Sequence, residues 1–215
     1  MSTTPRKRLT GEERRAAILD AALEIFSRRG YHATSIDDIA REGGISKALI
    51  YEHFASKHDL YGELLEQHAG ELFSVLAEAI SEAGTTASAR LAEGFEAFYG
   101  FVEEHGVAWR MLFREATDPE ALVLLDRVVN QVTRVVAGLI AEDPGSRKGD
   151  DDEGRREQRI QVLAQLLVGA TQSLANWWTD HPEIPRRRVV ETTMDFAWLG
   201  LQRLSGGERW SPAGP

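Results

Sequence analysis

Residues 34–57 read TSIDDIAREGGISKALIYEHFASK, and this stretch decides the fold. Two short apolar-patterned segments flank Gly43-Gly44. The first carries Ile36, Ile39 and Ala40 at helical spacing, with Thr34 as the expected N-cap and Asp37 at the N3 position. Ser46 caps the second, Lys47 to about Phe54, and Ser56 caps another helix that starts near Lys57. A glycine pair permits the tight turn between them, because glycine tolerates positive φ. Ile39, Ile45, Ile50 and Phe54 supply the apolar side that locks the second helix on the first. With Ile50 and Phe54 inward, a 3.6-residue period turns Ala48 and Glu52 outward and leaves Lys47, Leu49 and Tyr51 on the flanks. This is the pattern of a helix-turn-helix, whose second helix offers its first turn and outer face to a DNA major groove. Ser46 and Lys47 stand where a helix N-terminus can hold phosphate.

Outward from that stretch the whole chain reads as all-α. A helix from about Thr10 to Arg29 has a capping-box spacing, Thr10 to Glu13, and an apolar face of Ile18, Ala21, Ala22, Ile25 and Phe26. The helix near Lys57 extends to about Ala83. Further helical patterns cover about Ala87 to Glu104, Val107 to Ala116, Pro119 to Ala141, Arg156 to Asp180 and Arg186 to Leu204. Pro144 to Gly154 is the one long loop signal, charged and glycine-rich. The expected division is a three-helix DNA-binding domain over residues 1–57, with a basic arm at Arg6, Lys7 and Arg8, and a helical domain over residues 58–215.

Charge follows the same division. The net charge is -9, but residues 1–57 carry ten Lys/Arg against eight Asp/Glu, whereas the rest carries 15 against 26. Only the head is expected to meet a polyanion. The absence of cysteine rules out disulfides, a thiol nucleophile and thiolate metal sites. No membrane span or signal peptide is apparent, so a cytoplasmic protein is expected.

The positions Gly30-Tyr31, Thr34-Ser35-Ile36, Ile39-Ala40, Gly44-Ile45-Ser46-Lys47, Ile50-Tyr51, His53-Phe54 and Ser56-Lys57 together resemble the TetR family of bacterial transcription regulators. The close match spans Thr10 to about Leu65, where apolar, cap and contact positions agree in register. The resemblance implies phosphate contacts for Ser35, Tyr51, His53 and Lys57, and places Lys47, Ala48 and Leu49 near bases. Two positions depart from the family pattern: Ala48 is often glycine there, and Leu49 is often threonine or another small residue. Leu49 can read a thymine methyl but donates no hydrogen bond, and Glu52 either accepts from a cytosine amino group or stands clear.

An acidic body needs another role. One reading helix offers few contacts, and two-fold dimers solve this by reading two half-sites on a palindromic operator. The last two helices are the expected homodimer interface. Leu163, Leu166, Leu167, Ala170, Leu174, Trp177 and Trp178 are on the first, and Val189, Val190, Met194, Phe196, Ala197, Leu199 and Leu201 are on the second. The resemblance implies a small hydrophobic effector that releases a repressor from its operator. Phe95, Phe98, Tyr99, Trp109 and Phe113, with the neutral polar Gln131, Gln172 and Asn176, are the candidate effector contacts.

No enzyme is expected. The sequence has no Walker A loop, no dinucleotide glycine fingerprint and no His-Glu-x-x-His motif. Asp150 to Glu153 resembles a calcium loop, but Gly154 and Gln161 stand where oxygen ligands are required. The six histidines have no metal-ligand spacing, so neither metal nor cofactor is expected. The rival reading is a helical protein–protein adaptor without DNA-binding activity.

Overall fold

The computed structural model describes residues 10–84, 86–110, 119–142 and 152–205. Among these residues there are nine helices and no strand: α1 (Gly11–Arg29), α2 (Ile36–Gly43), α3 (Lys47–His53), α4 (Lys57–Glu82), α5 (Ala87–Glu104), α6 (Gly106–Trp109), α7 (Pro119–Glu142), α8 (Glu153–Trp178) and α9 (Arg186–Ser205). No helix among the described residues is long and apolar enough to cross a membrane. The chain forms two compact units, Met1–His68 with Val107–Leu122, and Ala69–Gly106 with Val123–Pro215.

In the first unit, local signals set the helix ends. Thr10 and Glu13 form the capping box of α1, each satisfying the other's backbone N–H. The cap of α2 is one residue later than expected. Ser35, not Thr34, accepts from the N3 backbone N–H, and N3 is Asp38, whose carboxylate returns to the Ser35 N–H at 3.0 Å. Thr34 is buried and donates its hydroxyl to the Gly30 carbonyl at 2.8 Å, so it closes the preceding turn instead. Gly44 ends α2 at φ +60°, the left-handed conformation that favours glycine. At Gly43 a Cβ would stand 3.0 Å from the Ala21 Cβ, so glycine also allows α2 to approach α1.

The core of this unit is Ile18, Ala22, Ile25 and Phe26 from α1, Ile36 and Ile39 from α2, Ile50 from α3, Phe54, and Leu60, Tyr61, Leu64 and Leu65 from α4. The rings of Phe26, Tyr31 and Tyr61 meet at 4.7–5.7 Å between centroids. Arg15 bridges to Glu63 at 2.6 Å and lies 4.7 Å over the Phe54 ring.

In the second unit, α5 packs along α9. Tyr99 is fully buried, with its hydroxyl 3.1 Å from that of Thr193 and its ring edge-on to Trp178. The Trp178 indole donates to the Ile184 carbonyl at 2.8 Å and ties down the connection between α8 and α9. Arg186, opening α9, bridges to Glu96 and Glu103 on α5 at 2.8 and 2.9 Å. Ala137, Ile160 and Ala164 join α7 to α8. α8 begins before the expected Arg156 because Asp152 caps it, accepting from the Gly154 N–H at 2.9 Å. Its end, Trp178, also precedes the expected Asp180. Most of the predicted Val107–Ala116 helix and most of the Pro144–Gly154 loop lie outside the described residues.

Candidate DNA interface

α3 is a two-turn helix whose orientation is fixed from beneath. Ser46 caps it, accepting from the Leu49 N–H at 3.1 Å, and Ile50 and Phe54 are buried. Lys47, Ala48, Tyr51 and Glu52 are consequently exposed, while Leu49 and His53 are half-buried at the margins. The outward face therefore offers an ammonium, a methyl, a phenol and a carboxylate.

The polar groups around this face already have partners. Lys47 Nζ lies 3.0 Å from Asp37 Oδ2 in the first turn of α2. That hydrogen bond and the Asp37 charge raise the Lys47 pKa, so the side chain is firmly cationic. The Ser35 hydroxyl donates to Asp38 Oδ2 at 2.6 Å. Hydrogen bonds from the Ser35 hydroxyl and N–H, helped by Arg41 and Arg29, hold the Asp38 carboxyl below the usual carboxylate range. Lys57 is half-buried and turned inward. Its Nζ donates to the carbonyls of Tyr31 and Thr34 at 2.8 and 2.9 Å and lies 4.2 Å over the Tyr31 ring.

Asp37, Asp38 and Tyr31, the partners of these residues, are outside the set that the sequence singles out for DNA contact. The Ser35-x-x-Asp38 spacing was the available signal for one of them. The Asp37–Lys47 and Tyr31–Lys57 pairs cross turns, and only the fold brings them together.

The residues singled out as effector contacts are dispersed. Phe95 and Tyr99 are buried on α5 and Phe98 is half-buried, with the Phe98 and Tyr99 rings 5.2 Å apart. Burial pushes the Tyr99 phenol up to about 12, against a smaller lowering by its bond to Thr193. Gln172 and Asn176 are half-buried on α8, Gln131 is exposed on α7, and Trp109 is buried in the other unit. Phe113 lies outside the described residues. A groove of about 520 Å³ in the second unit is lined by other residues, among them Glu71, Glu93, Glu96, Glu104, His105 and Arg186.

The residues expected at the dimer interface differ in exposure, with Leu163, Leu174, Val190, Met194 and Leu201 half-buried. Leu167, Trp178, Val189 and Ala197 are buried within the chain. Leu166, Ala170 and Trp177 on α8, and Phe196 and Leu199 on α9, are exposed.

Residues 18–64 match the family described as bacterial regulatory proteins, tetR family, and residues 87–200 match a tetracyclin repressor-like C-terminal domain. The chain belongs to the TetR family. It is a DNA-binding transcriptional regulator, and the family is non-enzymatic. Among its relatives, the transcriptional activator FasR of Mycolicibacterium smegmatis is 34% identical over 92% of this chain and 87% of its own length. A TetR-like regulator from Rhodococcus has the same fold with a TM-score of 0.76 and 28% identity, covering 91% of this chain and 99% of that one. FadR of Bacillus subtilis, solved in complex with stearoyl-CoA, superposes with a TM-score of 0.67 over 90% of this chain and 99% of its own. At 20% identity the FadR likeness is one of fold.

Proposed function

We propose that this TetR-family regulator binds a palindromic operator as a homodimer and is controlled by an effector with a long apolar chain. The observation that carries the DNA part is the orientation of α3. Buried Ile50 and Phe54 fix the helix so that Lys47, Ala48, Tyr51 and Glu52 face outward together. Ser46 and Lys47 at the helix start are suited to phosphate, Ala48 and Leu49 to base edges, and Tyr51 and His53 to the flanking backbone. Ser35, the exposed cap at the start of α2, adds a further group suited to phosphate.

Two heads reading half-sites one helical turn apart, about 34–36 Å, require a dimer. The exposed Leu166, Trp177, Phe196 and Leu199 on the last two helices support pairing there with a second copy. The effector reading draws on FadR, solved with stearoyl-CoA, and on a fatty acid metabolism regulator of Bacillus subtilis that is 23% identical over 75% of this chain. Within the second unit, Phe95, Phe98 and Tyr99 on α5 would provide apolar surface for an acyl chain, with Gln172 and Asn176 on α8 as polar contacts. The carboxylate-lined groove has the wrong charge for an acyl thioester bearing phosphates. A bound effector changes DNA affinity only through a preference between body shapes, and α4, shared by both compact units, is the proposed lever. Occupancy of the operator represses or activates according to where the operator lies. FasR is named an activator, so the sign of control is not built into the fold.

Fluorescence anisotropy with duplexes flanking the gene, titrated with salt, tests the reading. A preference over an unrelated duplex is expected, with a log–log salt slope that Lys47→Ala makes shallower by about 0.9. Equal binding to every genomic duplex tried would refute it.

A further inference from the structure

Lys57 stands at a position that the family pattern assigns to phosphate, yet its ammonium is engaged inside the head. It donates to two carbonyls, Tyr31 at 2.8 Å and Thr34 at 2.9 Å, and rests 4.2 Å over the Tyr31 ring. An ammonium has three N–H donors, and two of them are accounted for by these bonds. The two carbonyls belong to the turn that leads from α1 into Ser35, the cap of α2. Lys57 is itself the first residue of α4, whose start is also held by the bond from the Asp59 N–H to Ser56 Oγ at 3.0 Å.

From this geometry we infer that Lys57 is a positioning residue for DNA recognition: its ammonium clamps the Tyr31–Thr34 turn to the start of α4 and so fixes the N-terminus of α2. The inference rests on the DNA-binding reading and assigns Lys57 a role different from a direct phosphate contact. Thr34 continues the clamp, because its buried hydroxyl reaches back to the Gly30 carbonyl across the same turn. Ser35 follows immediately, so any slack in the turn displaces the cap and the α2 N–H groups that would face the DNA backbone. The clamp also lies where α4 begins. A shift of the start of α4 would therefore reach α2 through Lys57.

The two roles differ in their salt dependence. A lysine on phosphate contributes about 0.9 to the slope of log Kobs against log salt. A clamping lysine contributes specificity without that increment. The test uses the full chain, a duplex enriched by the wild-type protein from a random-sequence pool, and an unrelated duplex as control. Anisotropy titrations over a salt series are paired with backbone hydrogen exchange of the DNA-free protein, for wild type, Lys57→Met and Lys57→Arg.

Lys57→Met is expected to reduce the preference for the enriched duplex about tenfold with an unchanged salt slope. Amides of residues 31–36 should exchange faster in that variant while those within α1 do not. Lys57→Arg keeps a charge that suits phosphate but replaces one compact donor atom with a planar fork, so it should recover the preference incompletely. A slope lowered by about 0.9 in Lys57→Met, unaltered exchange at residues 31–36, or full recovery by Lys57→Arg would each overturn the proposal. If Lys57→Met does not fold, Lys57→Arg decides by its preference and exchange. Wild-type protein that enriches no duplex would instead refute the DNA-binding reading itself, an outcome the exchange data keep distinct.

Discussion

Ile50 and Tyr51 are neighbours on α3 with opposite duties, and exchanging each for alanine should separate scaffold from surface. Ile50 is fully buried, whereas Tyr51 is 51% exposed. Ile50→Ala removes three carbons, about 2.4 kcal/mol at about 0.8 kcal/mol per methylene. A residual cavity adds to this, for about 3–4 kcal/mol in total. Tyr51→Ala loses some burial but gains helix propensity of about 0.5 kcal/mol, so its net effect on stability should stay below about 1 kcal/mol. On DNA the order reverses. Losing a hydrogen bond to a charged phosphate costs about 1.5 kcal/mol or more, at least about tenfold in Kd. Urea unfolding at fixed protomer concentration reads the first effect, and anisotropy on the enriched duplex reads the second under conditions where both variants remain folded. A Tyr51→Ala variant that is unfolded or binds like wild type would refute the assigned orientation of α3, as would an Ile50→Ala variant of unchanged stability.

Three further outcomes are expected. Ser35→Ala should cost about 1 kcal/mol as a lost helix cap. Its effect should also be non-additive with Asp38→Ala, as thermal unfolding of the single and double variants would show. Tyr99 has a folded pKa raised to about 12 from 10.0, so the fold favours the neutral phenol. Its contribution is fully present below pH 10 and is lost as pH rises toward 12, by up to about 1.4 kcal/mol per pH unit, and comparing unfolding of wild type and Tyr99→Phe at pH 9 and 11 should show the flatter dependence in the variant. Phe196 is 74% exposed, and Phe196→Glu should weaken self-association by about a hundredfold or more in sedimentation equilibrium without lowering monomer helicity.

Much of the head was legible because its signals are local. The Thr10–Glu13 capping box, the Ser46 cap and the left-handed Gly44 depend on a few consecutive residues. With the apolar Ile50 and Phe54 set inward, helical period turns Ala48 and Glu52 outward, as they are. The misplaced cap of α2 has a tertiary cause. Thr34 and Ser35 are both good caps in isolation, and what decides between them is that Thr34 is buried against the preceding turn. The inward turn of Lys57 was hidden for the same reason, since its partners lie 23 and 26 residues earlier in the chain. In the body, periodicity identified amphipathic helices but not what covers each face. It therefore could not separate Trp178, which packs on Tyr99, from the adjacent exposed Trp177. Gln131 was indistinguishable in sequence from Gln172, although only Gln172 is half-buried.

The most direct test of operator recognition is selection of duplexes from a random-sequence pool by the full-length chain, followed by sequencing of the enriched pool. A dimer presenting two copies of α3 predicts an inverted repeat with half-site centres about 10 base pairs, or a multiple of one helical turn, apart. The same selection with Lys47→Ala and Tyr51→Ala should enrich that site less strongly. Enrichment of a single unrepeated half-site would contradict the dimeric reader, and no enrichment at all would contradict recognition through α3.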